Sequence, residues 1–439
     1  MATPLDFAYY GVLLLASPLL SYKLGRKRGR RHLMGLSERL GACPPRAGNK
    51  PCVWIHGVSV GEIRNARPLI EAIAKSLPDW EVVLSTTTGT GQQVATRCYP
   101  DHRVFYYPLD LSWSVRRVFN AIRPDVVILI ELEVWPNFLG EARRRHVPVA
   151  IVNGRITEKS LRGYKTIKRW LFNPLGTIQS FCVQTERYAE RFSQLGIPDE
   201  QIHVTGSLKY DDVHFQAPDK KPRLDVGIGL EETVLLGGST HPSEEQALLE
   251  AYRVLRQGTP NLRLVLVPRH NERTADVQRL IEDMAPGCVR RSQQQAGEAS
   301  PLPPGHVLLV DTMGELGRLY SAADLVFVGG SLIPHGGQNV LEPVAYGKPT
   351  VFGPFCDNFK EPVERLLSAR GAVQLQGKEH LTPVLQDLLL HPDRARVMGN
   401  RGRDAILAAR GASERTLDAL RPLLDRAGPI APDRLPGGV

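Results

Sequence analysis

Glu62 closes the run Val53-Trp-Ile-His-Gly-Val-Ser-Val-Gly-Glu62, in which a short apolar segment gives way to two glycines and then to a helical pattern over Ile63–Ser76. In open α/β sheets ligands bind at the carboxyl ends of the strands. A carboxylate placed there can take a proton from a hydroxyl. The same residues, Ser59-Val60-Gly61-Glu62, also spell Ser-x-x-Glu, a capping box in which the glutamate satisfies an orphan N–H. On spacing alone the cap has the prior claim, and a role as base needs support from the rest of the chain. A second run, Phe327-Val-Gly-Gly-Ser-Leu-Ile-Pro-His-Gly-Gly-Gln-Asn-Val-Leu-Glu-Pro343, reads as a strand, a glycine-bearing loop and a helix starting near Asn339. Free N–H groups at such a start suit a nucleotide phosphate, and Glu342 in the first turn suits paired ribose hydroxyls. An ordinary glycine-rich loop explains the same letters equally well. Three further turns fall at predicted strand ends: Gly237–His241, Val267-Pro-Arg269-His270 and Asp311-Thr-Met-Gly-Glu-Leu316. Arg269 brings a permanent positive charge fit for a phosphate or carboxylate. Each turn alone is unremarkable, but four on one rim describe a binding edge.

The elements that would hold these turns alternate. Strand patterns fall at Val53–Ile55, Glu81–Thr86, Val126–Glu131, Val147–Val152 and Phe181–Gln184, with helical patterns such as Leu139–Arg145 and Thr185–Leu195 between them. A second series begins at Thr233, with strands Val234–Leu236, Leu262–Pro268, Val307–Val310, Leu325–Val328 and Pro349–Phe352. Helices are expected at Ser243–Gln257, Glu361–Ser368, Thr382–Leu390, Pro392–Gly399 and Arg401–Leu424. Such alternation implies doubly wound parallel sheets. The fold class expected is α/β: two Rossmann-like domains facing each other across a cleft. The 439 residues allow two or three domains at about 150 residues each. Expected boundaries are a membrane anchor and basic run at 1–31, a first domain at 32–208, a linker at 209–229, a second domain at 230–427 and a disordered tail at 428–439. No internal repeat is visible.

With 42% hydrophobic and 23% charged residues the chain is globular in composition. Its net charge is +9, but six basic residues and no acid lie between Lys23 and Arg31, so removing that run leaves only three of the nine. A local excess of this kind points to one anionic surface and away from an extended nucleic-acid groove. Phe7–Leu20 is apolar apart from Tyr9, Tyr10, Ser17 and Pro18, short of the roughly 20 residues of a bilayer span. Because the charge follows the apolar part, the segment reads as an anchor, spanning or interfacial, with the bulk of the chain on the cytoplasmic side. A secretory signal would carry its charge first. The six cysteines are scattered without Cys-x-x-Cys, which fits a reducing compartment, and no cluster has metal-site spacing, so no metal is expected.

The motifs together resemble the Kdo transferases, which add 3-deoxy-manno-octulosonic acid from CMP-Kdo to the lipid A precursor. They are His56-Gly-Val-Ser-Val-Gly-Glu62, Glu131-Leu-Glu-Val-Trp-Pro-Asn137, Val204-Thr-Gly-Ser-Leu-Lys209, Val267–His270, Asp311–Leu316 and Gly336-Gly-Gln-Asn-Val-Leu-Glu-Pro343, in that order. Gln338 departs from the His of many relatives. The resemblance implies a GT-B fold, an acceptor-binding first half and a CMP-Kdo-binding second half. It makes Glu62 the proton acceptor, with the cap as a compatible extra use, and Glu131 and Lys209 the stabilisers of the transition state. It assigns nucleotide binding to Pro268, Arg269, Met313, Gly314, Glu315, Asn339, Val340, Leu341 and Glu342. Glu133 is expected to face away from Glu131 if the strand continues, and to be structural. No cofactor and no nucleic acid are expected. The expected partners are CMP-Kdo, the lipid A precursor and the anionic surface of the inner membrane. A UDP-sugar transferase or epimerase, and a non-catalytic membrane-bound nucleotide sensor, are the competing classes.

Overall fold

The computed structural model describes residues 3, 5–7, 9–11, 35–168, 174–215, 217–294 and 300–427. The chain divides into two compact units, one of Met1–Asp212 with Arg410–Val439 and one of Val213–Ala409. Most of the anchor reading, and all of the disordered-tail reading, falls outside the described residues. Among the described residues no helix is long and apolar enough to cross a membrane.

The first unit holds strands β1 Cys52–His56, β2 Glu81–Thr86, β3 Arg103–Tyr106, β4 Val126–Ile130, β5 Val149–Gly154, β6 Ser180–Val183 and β7 Ile202–Val204. They form one parallel sheet in the order β3-β2-β1-β4-β5-β6-β7. β1, β4, β5 and β6 are buried at every position, which is why they read as unbroken apolar runs. Alternate side chains enter two cores. Trp54 joins Phe105, Phe119 and Phe138 on one face, with its ring 5.0 Å from that of Phe138. Val53 and Ile55 join Leu69, Ile70 and Ile73 on the other.

Three elements differ from the sequence reading. The helical pattern after Glu62 is two helices, Val60–Asn65 and Arg67–Ser76. Pro68 has no N–H to continue the ladder to Arg64, so the chain turns at Ala66. At the far end Pro392–Leu407 runs through Gly399, and the break falls at Gly411, which is left-handed at φ 86°. Gly399 packs against the backbone of Gly347, so this glycine marks a close approach and no end of helix. The last helix, Ala412–Arg426, then returns to the first unit, where Leu420 and Leu424 join the core around Ile70, although the sequence reading kept it in the second domain. The Asp211 carboxylate receives the N–H groups of Gly411 (2.8 Å) and Ser413 (2.6 Å) and so caps a helix 200 residues away. Periodicity shows that a helix is amphipathic, not which sheet it covers.

His56, at the end of β1, is fully buried, with Nδ1 3.0 Å from Ser85 Oγ and its ring stacked 3.8 Å from Tyr107. Burial pulls its pKa down from 6.5 to about 3, against a weaker opposing bond from the Ser85 backbone. Between those values the unfolded chain binds one more proton than the fold. His56 therefore contributes fully above pH 6.5, and the contribution is lost as pH falls toward about 3. The expected slope from this group is about 1.4 kcal/mol per pH unit. Denaturant midpoints across the acid range should flatten by that amount in His56→Gln; equal slopes in the two proteins would contradict the assignment.

The second unit repeats the design with β8 Thr233–Thr240, β9 Leu262–Pro268, β10 Cys288–Arg290, β11 Val307–Leu309, β12 Leu325–Val328, β13 Thr350–Phe352 and β14 Val373–Gln374. The parallel order is β10-β11-β9-β8-β12-β13-β14. β8 runs through Gly237-Gly238, which the sequence reading made a turn. A Cβ on Gly237 would lie 2.6 Å from Leu248, so these glycines admit neighbours to a strand. Arg223, 1% exposed, donates to the carbonyls of Ala322, Leu230 and Glu232 and pairs with Asp324 at 2.7 Å, fastening the unit's first turn to its sheet.

Candidate active site

Strand order reverses in the first unit between β1 and β4, which pair His56 against Leu129. Glu62 follows β1 and Glu131 follows β4, so the two carboxylates leave neighbouring strands at the switch point, the usual ligand position of such sheets. Ser59 caps the helix Val60–Asn65: its Oγ accepts the Glu62 N–H at 3.3 Å. The Glu62 carboxylate turns back to accept the Val58 N–H (2.8 Å) and the Ser59 hydroxyl (2.7 Å). Cap and half-buried carboxylate are thus one residue. Burial chiefly raises its pKa above the ordinary 4.5, the Glu131 charge adds to this, and the Ser59 and Val58 bonds and Arg155 oppose it.

Glu131 has a left-handed backbone at φ 63°. Holding a residue with a Cβ there costs on the order of 1–3 kcal/mol. Its N–H still bonds Val152 O at 2.8 Å, and its carboxylate pairs with Arg155 at 2.8 Å. The expectation that the strand would turn Glu133 away fails on two counts: residues two apart on a strand share a face, and β4 ends at Ile130, before the left-handed Glu131. Glu133 instead accepts the Trp135 indole N–H at 2.9 Å and feels both Glu62 and Glu131. Burial, opposed by Trp135 and reinforced by those two charges, pushes its pKa up to about 7. Lys209 lies in the turn Leu208–Tyr210 after β7, half-buried. Asn153, itself at φ 54°, holds that turn by accepting the Leu208 N–H at 3.2 Å.

In the second unit the switch point lies between β8 and β12, and β11, β9, β8 and β12 are consecutive in the sheet. The four turns read from sequence therefore share one rim. Pro268 ends β9 buried, and Arg269 is exposed, with its N–H on Thr240 O at 3.0 Å. Met313 is 89% exposed, Gly314 has φ 87° with open space around it, and Glu315 accepts from Thr312 and from Arg291 (2.9 Å). Asn339 donates to Glu342 at 3.0 Å and accepts the Leu341 N–H at 3.1 Å. Val340 and Leu341 are core residues, so only their backbone can face a ligand.

The helix expected near Asn339 is only Leu341–Ala345, and the N–H groups of Gly337, Gln338 and Leu341 are engaged within the protein. The glycine loop is equally satisfied. Glu244, fully buried, receives the N–H groups of Gly330 (2.7 Å), Ser331 (2.9 Å), Leu332 (2.9 Å) and His241 (2.9 Å). The backbone anion cradle read from sequence is thus filled by the protein's own carboxylate. Side-chain groups line the same rim. The His241 ring lies 4.3 Å from His335 and 5.6 Å from His270, and Gln338 is 3.3 Å from it. Burial first, then His335, His270, Arg273 and Arg269, lower the His241 pKa to about 4. Sequence reasoning missed Glu244 and His335 and set Glu133 aside as structural; the only cue for Glu244 was its place in a first helical turn beside a glycine-rich strand.

Residues 34–212 match the family described as 3-deoxy-D-manno-octulosonic-acid transferase (kdotransferase). A 3-deoxy-D-manno-octulosonic acid transferase of Haemophilus influenzae is 33% identical over 430 residues, 96% of this chain and 99% of that one. One from Bordetella pertussis is 34% identical over 392 residues, 87% and 89% of the two chains. The solved UDP-GlcNAc 2-epimerase of Neisseria meningitidis, bound to UDP-GlcNAc, aligns over 85% of this chain and 100% of its own, with a TM-score of 0.56 and 14% identity. At that identity the likeness carries the fold alone, two parallel α/β sheets resembling the GT-B glycosyltransferases.

Proposed function

The chain belongs to the 3-deoxy-D-manno-octulosonic acid (Kdo) transferase family, and on that premise we propose that it moves Kdo from CMP-Kdo to a hydroxyl of the lipid A precursor lipid IVA, with Glu62 as base. The observation that carries the residue-level reading is the pair Glu62 and Glu131, which follow the adjacent strands β1 and β4 at the switch point. An acceptor hydroxyl has a pKa far above 7, so Glu62 takes its proton as the new bond forms. The anomeric carbon of Kdo is fully substituted and carries a carboxylate, so its transition state has oxocarbenium character. Glu131, held in place by Arg155, offers negative charge to it. Lys209 neutralises the Kdo carboxylate or the departing phosphate. Direct attack inverts the anomeric centre.

The first unit receives the acceptor and the second the donor. Arg269 and the His241, His270 and His335 rings suit the single phosphate of CMP, and Glu342 suits its ribose hydroxyls. The turn Met313–Glu315 frames the base. One phosphate held by side chains fits a chain without an Asp-x-Asp run, the usual metal–diphosphate ligand. The basic run Lys23–Arg31 and the apolar segment before it would hold the enzyme at the cytoplasmic face of the inner membrane.

Donor competition tests the reading: CMP-Kdo, not UDP-sugars, should displace a labelled cytidine nucleotide from the full chain. Tighter binding of a UDP-sugar would move the protein to the epimerase-like class of its structural relatives.

A further inference from the structure

We propose that Glu133 is a positioning residue that works as a neutral carboxylic acid, admitting the anionic Kdo unit beside Glu62 and Glu131 where a third carboxylate would repel it. The inference rests on the reading of Glu62 as base and names a residue that the sequence reading had set aside as structural.

The argument begins at the backbone. Glu131 at φ 63° ends β4 and redirects the chain, so Glu133 sits among the same groups as Glu131. It accepts the Trp135 indole N–H at 2.9 Å. The titratable groups facing it are Glu62 from the helix Val60–Asn65, Glu131 from its own loop, Tyr107 from the turn after β3 and Tyr164 from the helix Glu158–Lys168. Arg155 pairs with Glu131 at 2.8 Å and also acts on Glu62. Among the described residues no cation pairs with Glu133. Three carboxylates thus lie together in a half-buried setting where Arg155 reaches Glu131 and Glu62 but not Glu133, and like charges so placed do not all ionise. The carboxyl without a cation is the one that keeps a proton, in keeping with its rise to about 7.

A neutral acid here can donate its O–H to an incoming carboxylate, as an ionised one cannot. In the transfer step the acceptor O–H bond breaks and its proton goes to Glu62. The oxygen's electron pair forms the bond to the anomeric carbon, and the bond from that carbon to the CMP oxygen breaks with its pair leaving on the phosphate. Glu133 keeps its own proton throughout.

The test is kcat/KM for the full chain, wild type and Glu133→Gln, measured with CMP-Kdo and the lipid A precursor across the neutral to alkaline range. Ionisation of Glu133 should impose an alkaline fall of about tenfold per pH unit on the wild type, and the amide cannot ionise, so the ratio of variant to wild type should climb about tenfold per unit above neutrality. A ratio that is constant or falling with pH, the signature of a merely structural side chain, overturns the inference. If the variant does not fold, infrared difference spectra of the Glu62→Gln, Asp110→Asn double variant carry the test, since the buried Asp110, its pKa raised to about 6, would otherwise give a similar band. A protonated-carboxyl band present at mildly acid pH and lost above neutrality supports the inference, and its absence overturns it. Full transfer by Glu62→Gln is a different failure, that of the base reading itself.

Discussion

Glu62→Gln is expected to lower the rate of Kdo transfer by about 10²–10⁴-fold, the usual worth of a positioned general base. CMP-Kdo binding should persist, because the nucleotide-side groups belong to the other unit. The amide is close in shape to the carboxylate. Its oxygen can accept the Val58 N–H and its nitrogen can donate to Ser59 Oγ, so the cap that Glu62 also provides is largely kept. Loss of a whole cap would cost about 1 kcal/mol, so a small change in melting temperature accompanies a large change in rate. The wild-type enzyme should also lose activity on acidification at a pH above the ordinary carboxylate range, because burial and Glu131 raise the Glu62 pKa. Single-turnover rates with saturating donor measure this. Near-full transfer with intact CMP-Kdo binding would show that Glu62 only caps its helix.

Glu131→Gln is expected to reduce kcat by about 10²–10³-fold with a smaller effect on KM, as removal of transition-state stabilisation does. The substitution takes the negative charge away and leaves Arg155 without its partner. Stability should follow a separate rule, because the backbone at Glu131 is left-handed. Glycine adopts that conformation without a Cβ penalty, so Glu131→Gly should be about 1 kcal/mol more stable than Glu131→Ala while both are catalytically poor. Thermal melts and initial rates on the three variants separate strain from chemistry. Activity within a few-fold of wild type in Glu131→Gln would remove this residue from the mechanism.

The sheets were legible because their central strands are long apolar runs. Glu81–Thr86, Leu262–Pro268 and Leu325–Val328 are strands with the ends expected. β3, β7, β10 and β14 were not, because they have two to four residues and side chains that are partly exposed. Glycines misled in two directions. Gly237-Gly238 and Gly399 signal tight packing inside an element, whereas Gly411 does end one. The four loops on the donor rim could be read from strand ends alone. That Glu244 engages the amides of the glycine loop after β12 could not, since it depends on a carboxylate from another strand's helix entering that loop. Glu133 was misjudged because residues two apart on a strand share a face, and because the strand itself stops short of the left-handed Glu131. The unit to which the last helix belongs likewise rests on Asp211 meeting Gly411 and Ser413.

The most direct measurement is the mass of the glycolipid formed when the purified full chain is incubated with CMP-Kdo and the lipid A precursor. The account predicts a gain of whole Kdo units, with one CMP released for each unit added and transfer lost in Glu62→Gln. An unchanged glycolipid mass while CMP-Kdo is bound or hydrolysed, or a gain that appears only with a UDP-sugar, would contradict it.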